Sequence, residues 1–174
     1  MASEELQTRR IVTGHDESGN SIVLFDDRHD YQGRVQVWTT EGSPADNSGH
    51  EDEAATRPPR LEAPPQGSMF WLVRFPPLKD LDPERAEEDA ARLAAEGAAT
   101  HSGGQTPMHT TRTIDYMVVL EGEITLILDE GEVTLKKYDT VVQRGTSHHW
   151  ENRGSEPACL AFVLLDAKEL NPPS

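Results

Sequence analysis

Three side chains in one stretch of the chain carry groups that move protons near neutral pH and bind divalent ions: His109, Asp115 and His148. In an extended strand, side chains alternate between faces, so positions separated by an even number share a face. A regular strand from 109 to 115 therefore turns His109, Thr111, Thr113 and Asp115 the same way. His148 lies in a later run, and a closed sheet would bring it opposite the first pair.

The elements that must position these groups are short strands. Residues 107–165 hold six apolar runs rich in valine, isoleucine, threonine and tyrosine. Breaks fall at Glu121-Gly122-Glu123, Asp129-Glu130-Gly131, Lys137-Tyr138-Asp139, Arg144-Gly145-Thr146 and Asn152-Arg153-Gly154. Such spacing, with β-branched and aromatic residues between turn formers, predicts an all-β sandwich or barrel.

At this point the sequence resembles the cupin family. The family's first motif is His-x-His, three residues, Glu, six residues, Gly; this chain has His109, Thr111, Asp115 and Gly122 at those intervals. The second motif ends in Pro-x-Gly, two residues, His, three residues, Asn. This chain has Gln143-Arg144-Gly145, His148 and Asn152, with Tyr138 in place of the motif's leading glycine. The resemblance implies a double-stranded β-helix, or jelly-roll barrel, here with extra N-terminal strands and one short α-helix. It also implies a metal set. Carried over by position, His109, Asp115 and His148 remain, while Thr111 replaces the second histidine. Two imidazoles and one carboxylate suit Fe(II), and equally Zn, Mn, Ni or Co. The alternative is a metal-free barrel with a hydrogen-bonded polar interior.

Further candidates surround this set. Asp115 is a general base if it is not a ligand, and otherwise His101 or Tyr116 takes that role. Arg144, at the turn, offers a planar fork for a substrate carboxylate. Trp150 shares the face of His148 and either lines a pocket or fills the barrel. Thr111 and Thr113 complete the substrate-binding candidates, and Asn152 reads as a turn former whose side chain bonds nearby backbone.

The chain has 174 residues and is read as one domain. Its 16 basic and 31 acidic residues give a net charge of −15, which argues against nucleic acid or an anionic membrane as partner. The single cysteine, Cys159, cannot close an internal disulfide. No leader-like apolar segment opens the chain and no apolar run reaches the ~18 residues of a membrane span, so a cytoplasmic location is expected.

The N-terminal region (1–78) predicts strands and a long acidic, proline-rich loop. A hairpin turns at His15 to Asn20, a third strand runs Val35 to Thr39, and a fourth runs Met69 to Phe75. Residues 41–68 form a connection too long to be ordinary, either a functional lid or a disordered segment. An amphipathic helix is expected over 82–97, with Asp82 as N-cap, Pro83 in the first turn and Gly97 as C-cap. The barrel-motif region runs 107–166.

The reading that follows is a metal-dependent lyase or isomerase acting on a small oxygenated metabolite. Its alternatives are a non-haem Fe(II) dioxygenase and a metal-free binding protein. The resemblance further implies a homodimer, with residues 9–25 pairing onto a partner's strand edge.

Overall fold

The computed structural model describes residues 7–30, 33–55, 62–81, 84, 91, 99–101 and 108–168, with the side chains of 99–101 outside that description. Its strands are β1 (Gln7–His15), β2 (Ser21–Asp30), β3 (Arg34–Thr40), β4 (Ser68–Phe75), β5 (Ala99–His101) and β6 (Met108–His109). The remainder are β7 (Thr113–Glu121), β8 (Glu123–Leu128), β9 (Glu132–Lys136), β10 (Thr140–Gln143), β11 (His148–Glu151) and β12 (Ala158–Asp166). They form a two-stranded hairpin, β1-β2, and two five-stranded sheets, ordered β10-β7-β12-β4-β3 and β5-β6-β11-β8-β9. The pairings within them are antiparallel. This is the all-β double-stranded helix expected from the sequence. The expected helix lies largely outside the described residues.

Alternation decides what faces inward. On β7, Thr113, Asp115, Met117 and Val119 are buried, while Tyr116 and Leu120 are exposed. Met69, Trp71 and Phe75 of β4 and Leu160, Phe162 and Leu164 of β12 join Met117 and Val119 from the first sheet. Ile124, Leu126, Leu135 and Trp150 come from the second, and together they make one apolar core between the sheets. Sealing each of the larger side chains from water stabilises the fold by about 1.5–3 kcal/mol. The β7–β8 turn needs its glycine: Gly122 has φ +75°, and a Cβ there would lie 2.6 Å from the Pro157 carbonyl oxygen.

The regular strand expected from 109 to 115 does not exist. β6 ends at His109 and β7 begins at Thr113, and the intervening residues carry the chain from one sheet to the other. His109 and Asp115 therefore belong to different sheets. A pleat shared by one strand cannot align them, and closure of the barrel has to.

The long loop is tied down at two places. Arg10, buried on β1, is bracketed by the carboxylates of Asp27 on β2 and Asp52 in the loop. At the loop's far end Ala63 enters the core, the Gln66 amide donates to Asp166 at 2.7 Å, and the Arg112 amide donates to Glu62 at 2.7 Å. The loop is thus tied to the β1-β2 hairpin at Asp52 and to the barrel at Glu62, Ala63 and Gln66.

Asn152 joins the two sheets. It is wholly buried. Its Nδ2 donates to the carbonyls of Phe75 (2.9 Å) and Glu156 (2.8 Å), and its Oδ1 accepts from the Gly154 amide (2.9 Å). Removing the side chain strands the Phe75 carbonyl away from water, at roughly 1–3 kcal/mol for one buried polar group. Asn152→Ala is expected to lower the urea-unfolding free energy by about 2–4 kcal/mol with an unchanged slope. A loss under about 1 kcal/mol would refute the bridging role.

Candidate active site

β6 meets β11 at a single register pair, His109 opposite His148. Their rings lie 4.3 Å apart, centroid to centroid. Below them Trp150 stands edge-on to His148 at 6.1 Å and packs against Phe75 (6.3 Å) and Phe162 (6.1 Å). Trp150 thus fills the core and forms an aromatic floor beneath the imidazoles.

His148 is 4% exposed, and its Nδ1 lies 2.9 Å from the Thr146 carbonyl oxygen. A carbonyl only accepts, so Nδ1 carries the proton in the neutral ring and Nε2 carries the lone pair. Burial pushes the His148 pKa down to about 4, with the neighbouring His109 acting in the same direction. At neutral pH the ring is therefore uncharged, the form in which imidazole accepts a proton or binds a metal.

Asp115 is 5% exposed, and its Oδ1 is buried without a hydrogen-bond partner. Burial raises its pKa to about 6; Glu62, anchored on the neighbouring Arg112 amide, adds to the rise, and Thr113 opposes it. The single Thr113 hydroxyl proton is divided between this carboxylate and Thr111 Oγ1, 2.8 Å away.

The structure brings some of the sequence candidates together and separates others. His109 and His148 are in contact, and Thr111 and Thr113 bond each other beside Asp115. Tyr116, a candidate base, is corrected: alternation on β7 turns it to the outer face, half exposed and opposite Val142. Arg144 is exposed on the β10–β11 turn. The backbone of His101 pairs with Met108, and its side chain lies outside the described residues. His149 points away from His148, toward Met108 Sδ and Glu151.

The imidazole pair supplies two nitrogen donors of a chemistry suited to a metal ion. Among the described residues, no three His, Cys, Asp or Glu side chains stand close enough to hold an ion. The three-member set of His109, Asp115 and His148 is not assembled here, and Asp115 stands on the opposite sheet as a lone carboxyl.

Two contributors escaped the sequence reading. Gln143 is 3% exposed and pairs in register with Asp115 across β10 and β7. Its signal was available, because it replaces the motif's proline and so restores polar groups at that spot. Glu62 gave no local signal, since only the folded loop brings it near Asp115.

A model of the cupin domain matches residues 99–164. The chain is 35% identical to phomopsin biosynthesis cluster protein D of Diaporthe leptostromiformis, over 97% of this chain and 84% of that protein. It is 30% identical to a cupin-domain-containing oxidoreductase of Aspergillus ruber, over 92% of this chain and 73% of the other. A solved Cupin 2 conserved barrel domain protein from Salinispora arenicola aligns at 17% identity and a TM-score of 0.39, covering 64% of this chain and 71% of that one. Among the described residues no helix is long and apolar enough to cross a membrane.

The two buried titrating groups have opposite effects on stability. Asp115 binds a proton more tightly folded than unfolded. Its contribution is full below about pH 4 and is lost as pH rises through about 6. His148 binds a proton less tightly folded, so its contribution is full above about pH 6.5 and is lost as pH falls toward about 4. In chelator-treated protein, Asp115→Asn should gain stability relative to wild type as pH rises from 4 to 6. His148→Gln should gain as pH falls from 6.5 to 4. Each change is on the order of 2–3 kcal/mol by denaturant unfolding. Differences that stay flat with pH would rule out both burial effects.

Proposed function

The chain belongs to the cupin family, and we propose that it is an enzyme transforming a small oxygenated metabolite, with Asp115 as proton-transfer group and His109 and His148 as the pair beside which the substrate's hydroxyl binds, His148 accepting its hydrogen bond at Nε2. One observation carries this reading. A carboxyl inside the barrel keeps an oxygen without a hydrogen-bond partner and has its pKa raised to about 6. A base poised near the working pH combines the correct protonation state with a useful driving force.

The chain's own residues divide the work. Asp115, ionised above about pH 6, accepts a proton from a C–H or O–H of the bound metabolite through Oδ1. His148 stays neutral and offers Nε2 toward the ligand, while the Thr146 carbonyl holds its orientation. The aromatic floor of Trp150, Phe75 and Phe162 excludes water from below. His109 and His148 are the residues that would hold a divalent ion, whether Fe, Zn, Mn, Ni or Co, and such an ion would supply Lewis-acid polarisation and, with iron, redox chemistry.

For the reaction class, the Aspergillus ruber oxidoreductase supports an oxidation–reduction outcome. The lyase or isomerase reading is the second, supported by Asp115 alone, because proton transfer needs no redox partner. Oxygen uptake separates the two. Product formation from a panel of small hydroxy and oxo compounds, followed by mass spectrometry, should stop under anaerobic conditions if oxygen is the oxidant. It should persist if the reaction is an isomerisation or elimination.

In either case Asp115→Asn should lower kcat by about 10²–10⁴-fold. The wild-type kcat/KM should climb with pH through about 6 and then level off. Full turnover in the Asn variant would sink the assignment of Asp115.

A further inference from the structure

The turn between β10 and β11 converges on one main-chain atom. The Thr146 carbonyl oxygen accepts from His148 Nδ1 at 2.9 Å and from Gln143 Nε2 at 3.1 Å. Gln143 Nε2 also donates to Thr146 Oγ1. A primary amide has two N–H bonds, so both are committed to Thr146. Yet Gln143 is the register partner of Asp115, and directly opposed residues on antiparallel strands share a face. The amide beside the Asp115 carboxyl therefore has no donor left for it, and Asp115 Oδ1 is without a partner.

We propose that Gln143 is a positioning residue of the site: by clamping Thr146 it fixes His148 as the Nδ1–H tautomer with its Nε2 lone pair available, and by committing both its N–H bonds to that turn it leaves Asp115 Oδ1 without a donor. This rests on the reading of the barrel interior as the active site, and it adds the residue that couples the two sheets' reactive groups. The clamp spans the turn of Arg144, Gly145 and Thr146, where Gly145 sits at φ +63°. A carbonyl that fixes the tautomer of a histidine, and is itself hydrogen-bonded, is the kind of outer support that orients a reactive or ligating ring.

The test uses full-length, chelator-treated protein with ¹⁵N-labelled histidine at pH 7.5, the His148 signals assigned by their loss in His148→Gln. Wild type should show a single neutral Nδ1–H tautomer at His148. Gln143→Leu keeps the bulk and removes the amide; it should show mixed tautomers. Its affinity for Co²⁺, titrated spectroscopically, should fall by about 10–100-fold. Gln143→Asn, which retains the amide but is too short to reach, should behave like Leu. An Nε2–H tautomer in the wild type overturns the proposal whether or not the variants fold. So does an unshifted tautomer in folded Gln143→Leu. The spectrum needs no turnover, so this outcome is separate from full activity in Asp115→Asn, which would instead overturn the catalytic reading.

Discussion

The governing constraint is the confinement of polar groups between two apolar sheets. Asp115, Thr113, Gln143 and His148 are all nearly sealed from water. In such a place a charge is far more costly than in solvent, and a polar atom without a partner is costly as well. The chain answers residue by residue. Gln143 satisfies its amide on the adjoining turn, His148 sheds its charge and bonds a carbonyl, and Thr113 divides one proton between two neighbours. Of these four, Asp115 alone keeps an oxygen unanswered. Gln36 Oε1, Trp71 Nε1 and Arg74 Nε are also buried without a hydrogen-bond partner, but only the Asp115 oxygen belongs to a carboxyl whose pKa burial raises to about 6.

The position of that carboxyl follows from topology. The chain leaves the second sheet at His109 and enters the first at Thr113, so residues close in sequence end on opposite walls. The apolar core then holds the walls at a fixed separation. Asn152 ties the start of the β11–β12 turn to the end of β4, and the anchored loop closes over the start of β7. Geometry at the site is thus set by elements that carry no chemistry.

Much of this was legible in the sequence, and the failures have physical reasons. Alternating apolar runs between glycine turns gave the strands, because inward and outward positions differ in the free energy of burial. The intervals from Gly145 through His148 to Asn152 held, because a short turn fixes them locally. The shared face assumed for His109 and Asp115 failed because alternation applies only while a strand continues, and nothing in Thr110-Thr111-Arg112 announces a crossing between sheets. Tyr116 failed for the complementary reason: alternation does hold along β7, and it sends the neighbour of Asp115 outward. Glu62 was invisible because its approach to Asp115 depends on a loop returning over fifty residues of chain to Arg112.

The acceptor beside His148 belongs to the main chain. No single codon change can delete it, whereas a carboxylate in the same role would vanish with one substitution. A substitution at position 146 therefore keeps this acceptor even where it removes the hydroxyl that takes the second N–H of Gln143, and inheritance protects that part of the imidazole's surroundings through the shape of a turn.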